Sequence, residues 1–215
     1  MVLSKRPAYR HPGGFSLLHN ARLRSERRLC ARWDGQRVRC FAKNGHDWAD
    51  CFPSIVEAAL SMTNTTCLID GEAGILNEDG TSNFPALRGR GRASEVVLVA
   101  FDLLEQYGRN LREQPLIERK RRLKALLGPG EASGRAIQYI DYLTGDGAAI
   151  FRHVWQVGLE GIVSKRVDSP YRSGPSRTWL KSKNPASEAV QREREEEWRQ
   201  SKPGSPIMRH YQRYR

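Results

Sequence analysis

The chain has 215 residues, 39% hydrophobic and 28% charged, with 36 Lys and Arg against 24 Asp and Glu for a net charge of +12. That length can bury a core in one domain or two small ones, and the composition is ordinary for a globular protein. The basic excess points to polyanions, nucleic acid first; no run approaches the ~18 apolar residues of a membrane span, and the first residues lack a secretory leader.

Residues 1–28 are rich in Arg, Pro and Gly without periodicity, which predicts a divergent, poorly ordered segment. A hairpin follows, with strands Leu29 to Trp33 and Arg37 to Ala42 around Asp34-Gly35. Cys30, Cys40, Cys51 and Cys67 show no C-x-x-C spacing, so they read as reduced thiols of a cytoplasmic protein, not as zinc ligands or disulfides. Pro53 to Met62 fits a helix with Pro in its first turn. Thr66 to Asp70 reads as a strand, and Asn77-Glu78-Asp79-Gly80 as a second hairpin. Glu95 to Leu104 is an apolar, Val-rich run, most simply a buried strand. Pro115 opens a helix carrying Leu116, Leu123, Leu126 and Leu127, closed by Gly128. Ile137 to Leu143 is a strand, and Ala148 to Val157 a helix capped by Gly158. The charge-dense 186–215 segment reads as a helical tail broken at Pro203 and Pro206. The class is α+β, with antiparallel sheets flanked by helices.

The chemistry-bearing residues concentrate late in the chain. Glu160 opens a short strand ending at Lys165, and one loop later Trp179-Leu180-Lys181-Ser182-Lys183 follows. Residues i and i+2 of a strand point the same way, so Lys181 and Lys183 can converge on one polyphosphate. Glu160 can hold a divalent metal against the same phosphates. Such an arrangement suits nucleotidyl transfer. Earlier, Asp70-Gly71-Glu72 sits at a strand end with both carboxylates on one face, although Asp-Gly alone is an ordinary turn signal. Phe101-Asp102 ends the buried strand, where a ring is usually core. Lys43-Asn44-Gly45 is a basic turn, and the adjacent His46 reads as a loop histidine, not a base.

The order and spacing of these segments, from roughly Leu29 to Trp198, resemble the adenylation (nucleotidyltransferase) domain of ATP-dependent DNA ligases, in particular bacterial ligases of the non-homologous end-joining type. Asp102-Leu103-Leu104-Glu105-Gln106-Tyr107-Gly108-Arg109-Asn110 is part of that likeness, which a core argument does not predict. The resemblance implies an ATP-grasp-like nucleotidyltransferase fold over 29–185. It also implies ATP and Mg2+ as cofactors and nicked or broken duplex DNA as substrate. It places Lys43 at phosphate, Glu72 at the ribose, Phe101 against adenine, Lys181 and Lys183 at the α-phosphate, and Glu160 on the metal side.

The family's nucleophile is a lysine in Lys-x-Asp-Gly-x-Arg. The tempting match, Arg32-Trp33-Asp34-Gly35-Gln36-Arg37, has a guanidinium that stays protonated and cannot replace an amine. Family spacing places the nucleophile at Leu23 and leaves Arg28 as the motif's arginine. No lysine lies between Lys5 and Lys43. The tail lacks the short strands of the family's OB-fold. The expected function is a ligase-like nucleotidyltransferase domain of DNA repair that does not charge itself with AMP, working with other end-joining proteins or a separate OB-domain chain. The alternatives are a nucleotide- or DNA-binding pseudoenzyme or degenerate fragment, an RNA ligase or capping relative, and a basic interaction module.

Overall fold

The computed structural model describes residues 16–21, 28–62, 65–77, 83, 86, 91–128, 135–157, 159–174 and 176–186. Nine strands and three α-helices are described: β1 (Leu17–Ala21), β2 (Arg28–Trp33), β3 (Val38–Ala42), α1 (Pro53–Leu60), β4 (Cys67–Gly74), β5 (Val97–Gln106), β6 (Arg109–Asn110), α2 (Leu116–Leu127), β7 (Ile137–Tyr139), α3 (Gly147–Gln156), β8 (Gly161–Arg166) and β9 (Trp179–Lys183). They form a six-stranded sheet in the order β3-β2-β4-β5-β6, with β7 beside β5, and a three-stranded sheet β1-β8-β9. All pairings are antiparallel except β5 with β7. The expected α+β class holds.

Local chemistry sets the first hairpin. Asp34 Oδ1 accepts hydrogen bonds from the backbone N–H of Gln36 and Arg37 at 3.1 and 2.8 Å, an Asx turn between β2 and β3. Pro53 occupies the first turn of α1, where its missing N–H costs nothing. The first N–H groups of α2 are satisfied from outside the helix: Leu116 N donates to Ser169 O and Ile117 N to Val167 O, each at 3.0 Å. The loop after β8 thereby ties the small sheet to the large one. The main core lies on one face of the large sheet, where Leu29, Ala31, Ile69, Leu98, Ala100 and Leu103 meet Ile55 and Ala59 of α1 and Leu123 and Leu127 of α2.

Four expectations are corrected. Residues 17–21, expected to be poorly ordered, form β1, paired along its length with β8; that partner is remote in sequence, so no local periodicity announces the strand. Asp70-Gly71-Glu72 lies inside β4, not at its end. A Cβ on Gly71 would stand 2.7 Å from Leu98 Cδ1 and 2.8 Å from Val99 O, so this glycine serves the close approach of β5 and not that of a ligand. Phe101 is mid-strand in β5. The strand expected over Ile137 to Leu143 stops at Tyr139. Residues 78–80 of the hairpin expected from Asn77, the helix cap at Gly158 and the tail from 187 onward lie outside the described residues.

Candidate functional site

The second face of the large sheet meets the small sheet, and the residues singled out from sequence cluster there because of a register break. Asp70 pairs with Asp102 and Gly71 with Ala100, which leaves Phe101 as an extra residue in β5. Such a bulge re-aims a side chain. Phe101 meets the edge of Trp179 from β9, with ring centroids 6.4 Å apart at 82°. Between the two sheets the Lys165 ammonium stands 4.3 Å from the Phe101 centroid and 4.2 Å from that of Trp179.

Pairing fixes what faces this cleft. Residues directly opposite one another in antiparallel strands share a face. Lys165 opposes Trp179, Val163 opposes Lys181, and Gly161 opposes Lys183. Trp179, Lys181 and Lys183 therefore project on the Lys165 side. Lys181 and Lys183 are exposed, whereas Lys165 is buried. Burial pushes the Lys165 ammonium down to about 8, against the pull of Asp102 and Asp70.

Two carboxylates lie fully buried under the cleft, each clamped by an arginine. Arg28 donates to Asp70 through Nε at 3.0 Å and Nη2 at 2.5 Å, and Tyr171 O–H adds 2.8 Å. The same guanidinium lies 5.7 Å from the Phe101 centroid and 5.5 Å from Trp179. The hydrogen bond to Asp70 raises the Arg28 pKa. Beside it burial pushes the Cys30 thiol up to about 12, so this cysteine is an inert hydrophobe. Arg119 of α2 grips Asp102 at 2.7 and 2.9 Å and donates also to Gln114 O and to Ser169 O. Lys120, next on the helix, donates to Ile140 O at 3.1 Å and faces Tyr139 and Tyr142. Burial first, then Lys165, lowers its pKa to about 7.

The structure thus brings Phe101, Lys181 and Lys183 to one cleft, with Glu72 on the same side, since it pairs with Arg28 in β2. Glu160 precedes β8, and its backbone O accepts from Asn184 N at 2.6 Å. The following Gly161 has φ +145°, and a Cβ there would lie 2.0 Å from Ser182 O, so only glycine lets β8 and β9 close beside the carboxylate. Lys43 stands exposed in the turn after β3. Arg32 points to Glu105 at 3.6 Å and is half exposed. His46 is exposed in its turn. Leu23 lies outside the described residues. Sequence reasoning missed Tyr171, Trp179, the Arg119–Asp102 pair and the burial of Lys165. The motif strand already contained Trp179; the others depend on which strands meet.

Residues 24–183 match the family described as the ATP dependent DNA ligase domain. The chain belongs to this family. It is 34% identical over 159 residues to the multifunctional non-homologous end joining protein LigD of Pseudomonas aeruginosa, a match covering 73% of this chain and 19% of that protein. The LigD of Mycolicibacterium smegmatis is 32% identical over 162 residues, covering 71% and 21%. The chain spans about a fifth of the length of these relatives. Among solved structures, mycobacterial DNA ligase D complexed with ATP and MES superposes with a TM-score of 0.68 at 30% identity, over 78% of this chain and 54% of that one. The fold is therefore that of the ligase nucleotidyltransferase domain.

Proposed function

We propose that the cleft between the two sheets binds ATP or AMP and that the chain serves DNA strand-break repair as a nucleotidyltransferase domain. One observation carries this reading. Asp70 and Asp102 are each matched by an arginine, so Lys165 and Lys181 remain as surplus positive charge beside an aromatic ring. A low-dielectric site with surplus cations and a π face suits a purine nucleotide. In this reading Phe101 stacks on the base, Glu72 holds the ribose, and Lys181 and Lys183 take the α-phosphate, with Lys43 a weaker phosphate contact.

Glu160 is the metal-side carboxylate. Among the described residues no three His, Cys, Asp or Glu side chains gather to hold a metal alone. One carboxylate plus phosphate oxygens is nonetheless the donor set Mg2+ commonly takes. When bound, the ion neutralises phosphate charge.

The family's reaction class is transfer of AMP from a lysyl-AMP to a DNA 5′-phosphate, followed by displacement of AMP by a 3′-hydroxyl. The step open to this chain is the last, in which the 3′-hydroxyl attacks an already adenylylated 5′-phosphate, forming the phosphodiester and releasing AMP. With no lysine between Lys5 and Lys43, the chain binds nucleotide without forming lysyl-AMP. That absence also sustains a second reading, a nucleotide-holding pseudoenzyme.

Calorimetric titration tests the site: ATP binds the natural chain, and Lys181→Ala weakens it by about 10–100-fold, the worth of a charge-assisted contact. No heat with ATP overturns the proposal. Labelled ATP leaves no covalent label after denaturing electrophoresis, and label on a lysine overturns the dead-nucleophile reading. Sealing of nicked DNA already carrying 5′-AMP then separates the transferase from the pseudoenzyme.

A further inference from the structure

The β5–β6 hairpin turns at Tyr107-Gly108, with φ of +51° and +73°, so Gln106 pairs with Arg109 across a tight two-residue turn. Beside β6, at the edge of the large sheet, lies a hollow of about 470 Å³ lined by Arg109, Asn110, Leu111, Gln114 and Arg122. Its volume is within the range of small-ligand sites. The walls come from β6, the loop after it and α2, and none of these residues belongs to the cleft between the sheets. The frame is fixed. Leu111 N donates to Leu104 O and Gln114 N to Leu111 O, each at 2.9 Å, and Gln114 O accepts from Arg119.

Two guanidinium groups and two carboxamides line the hollow, and no carboxylate does. Asn110 Oδ1 already accepts from Arg112 N and Nη1, at 3.1 Å each, so its amide N–H groups are left to donate. Arg122 Nε is buried and has no hydrogen-bond partner. Buried polar atoms are nearly always satisfied, so this one needs an explanation. The neighbouring carboxylates are committed elsewhere. Glu105 meets Arg32 at 3.6 Å, and Glu113 holds Arg172 at 2.5 Å. Glu118 takes Arg121 at 2.5 Å and reaches Arg122 only at 3.8 Å, too long for a hydrogen bond. Among the described residues no carboxylate pairs with Arg109.

We propose that the hollow is a second anion site, which takes a phosphate group through the guanidinium forks of Arg109 and Arg122 and the amide N–H groups of Asn110 and Gln114. A planar guanidinium gives two parallel N–H bonds to an oxyanion. One fork satisfies a carboxylate. Two forks with two amides match the greater charge and the tetrahedral oxygens of phosphate. The group comes from a free polyphosphate compound or from a nucleic-acid backbone, which share this chemistry. The site stands independently of the nucleotide reading, since Phe101, Lys165 and Lys181 take no part in it.

Proton–nitrogen correlation spectra of the full chain, titrated with inorganic pyrophosphate, locate the binding. The Arg122 Nε–H resonance and the backbone amides of residues 109–114 shift together and saturate. Arg109 is exposed, and Arg109→Gln weakens this response by about tenfold or more, the worth of a charge-assisted contact. Arg109→Lys keeps the charge without the fork and falls between that variant and the natural chain. Lys181→Ala leaves the response within about twofold. An unmoved Arg122 Nε–H, or an unchanged response in Arg109→Gln, overturns the inference. So does a Glu-rich peptide that moves the same resonances at lower concentration than pyrophosphate, which would assign the hollow to an acidic protein partner. Binding to an unnicked DNA duplex at graded salt separates the two phosphate sources. With a nucleic-acid backbone in the hollow, Arg109→Gln with Arg122→Gln lowers the slope of log affinity against log salt by about 2. With a free polyphosphate compound the slope is unchanged while the pyrophosphate response is lost. Failure of ATP to bind the natural chain removes the nucleotide reading and leaves this site standing.

Discussion

The two faces of the large sheet use the same strands for opposite purposes. On one, Leu98, Ala100 and Leu103 of β5 pack against Ile55, Leu123 and Leu127 in a dry core. On the other, the same strand offers Phe101, Asp102 and Leu104, and across it lie Arg28, Asp70, Tyr171 and Lys165. The first face needs only apolar shape. The second buries charge, which is costly unless every group is paired. Arg28 and Arg119 perform that pairing, and the bulge at Phe101 lets one strand serve both sides. Apolar packing and buried charge are thus separated by strand parity, interrupted twice, at Phe101 and at Leu104.

The contrast is sharpest where the buried charge is structural. Arg119 and Asp102 are both fully buried, and Arg119 also holds Gln114 O and Ser169 O. Arg119→Leu leaves Asp102 uncompensated and lowers stability by about 3–5 kcal/mol, measured as the urea midpoint. The double variant Arg119→Met with Asp102→Leu recovers much of that loss, since apolar replacement of a whole buried pair is often neutral. A double variant as unstable as the single one would show that Arg119 acts chiefly through its carbonyl contacts.

Sequence legibility divides along the same line. The first hairpin, α1 and α2 were readable because Asp34-Gly35, Pro53, Pro115 and Gly128 are local signals. The convergence of Lys181 and Lys183 followed from strand period alone. The supports of the cleft were not readable. Asp70 meets Tyr171 across 101 residues, and β1 finds its partner in β8. The aim of Phe101 depends on a register shift between β4 and β5, which neither strand announces by itself. Lys165 was legible as a charge next to a motif, but its burial arises only when two sheets close over it.

A smaller effect is expected at Lys165, the charge buried between the two sheets. Its pKa falls from 10.5 to about 8 on folding. The native state therefore binds this proton less well than the unfolded chain. The penalty is full below pH 8, shrinks as pH rises, and is gone above 10.5. The shift corresponds to roughly 3 kcal/mol, of which the two ring contacts return about 2 kcal/mol. Lys165→Met therefore stabilises the nucleotide-free chain by roughly 1 kcal/mol at pH 7, and the gain fades toward pH 10.5. Denaturant titrations at pH 7 and 10 measure it. A destabilised Lys165→Met chain at pH 7 would mean that Lys165 contributes to the fold as well as to the site.

The smallest effect belongs to the other face of the small sheet. His19 is buried beside α3, its Nδ1 sharing a hydrogen with Ser164 Oγ at 2.8 Å, and Gly147 closes over its ring. Burial lowers its pKa below the ordinary 6.5, opposed weakly by the Gly145 backbone and by Asp146. The unfolded chain then takes up a proton that the native state refuses. The stability carried by neutral His19 is complete above pH 6.5 and is lost as pH falls below it. His19→Gln keeps a polar partner for Ser164 without the titration, so its thermal midpoint falls less steeply between pH 7 and 5. Parallel slopes for the two chains would show that His19 does not carry the acid sensitivity. That outcome would place the acid-labile groups outside the packing beneath α3.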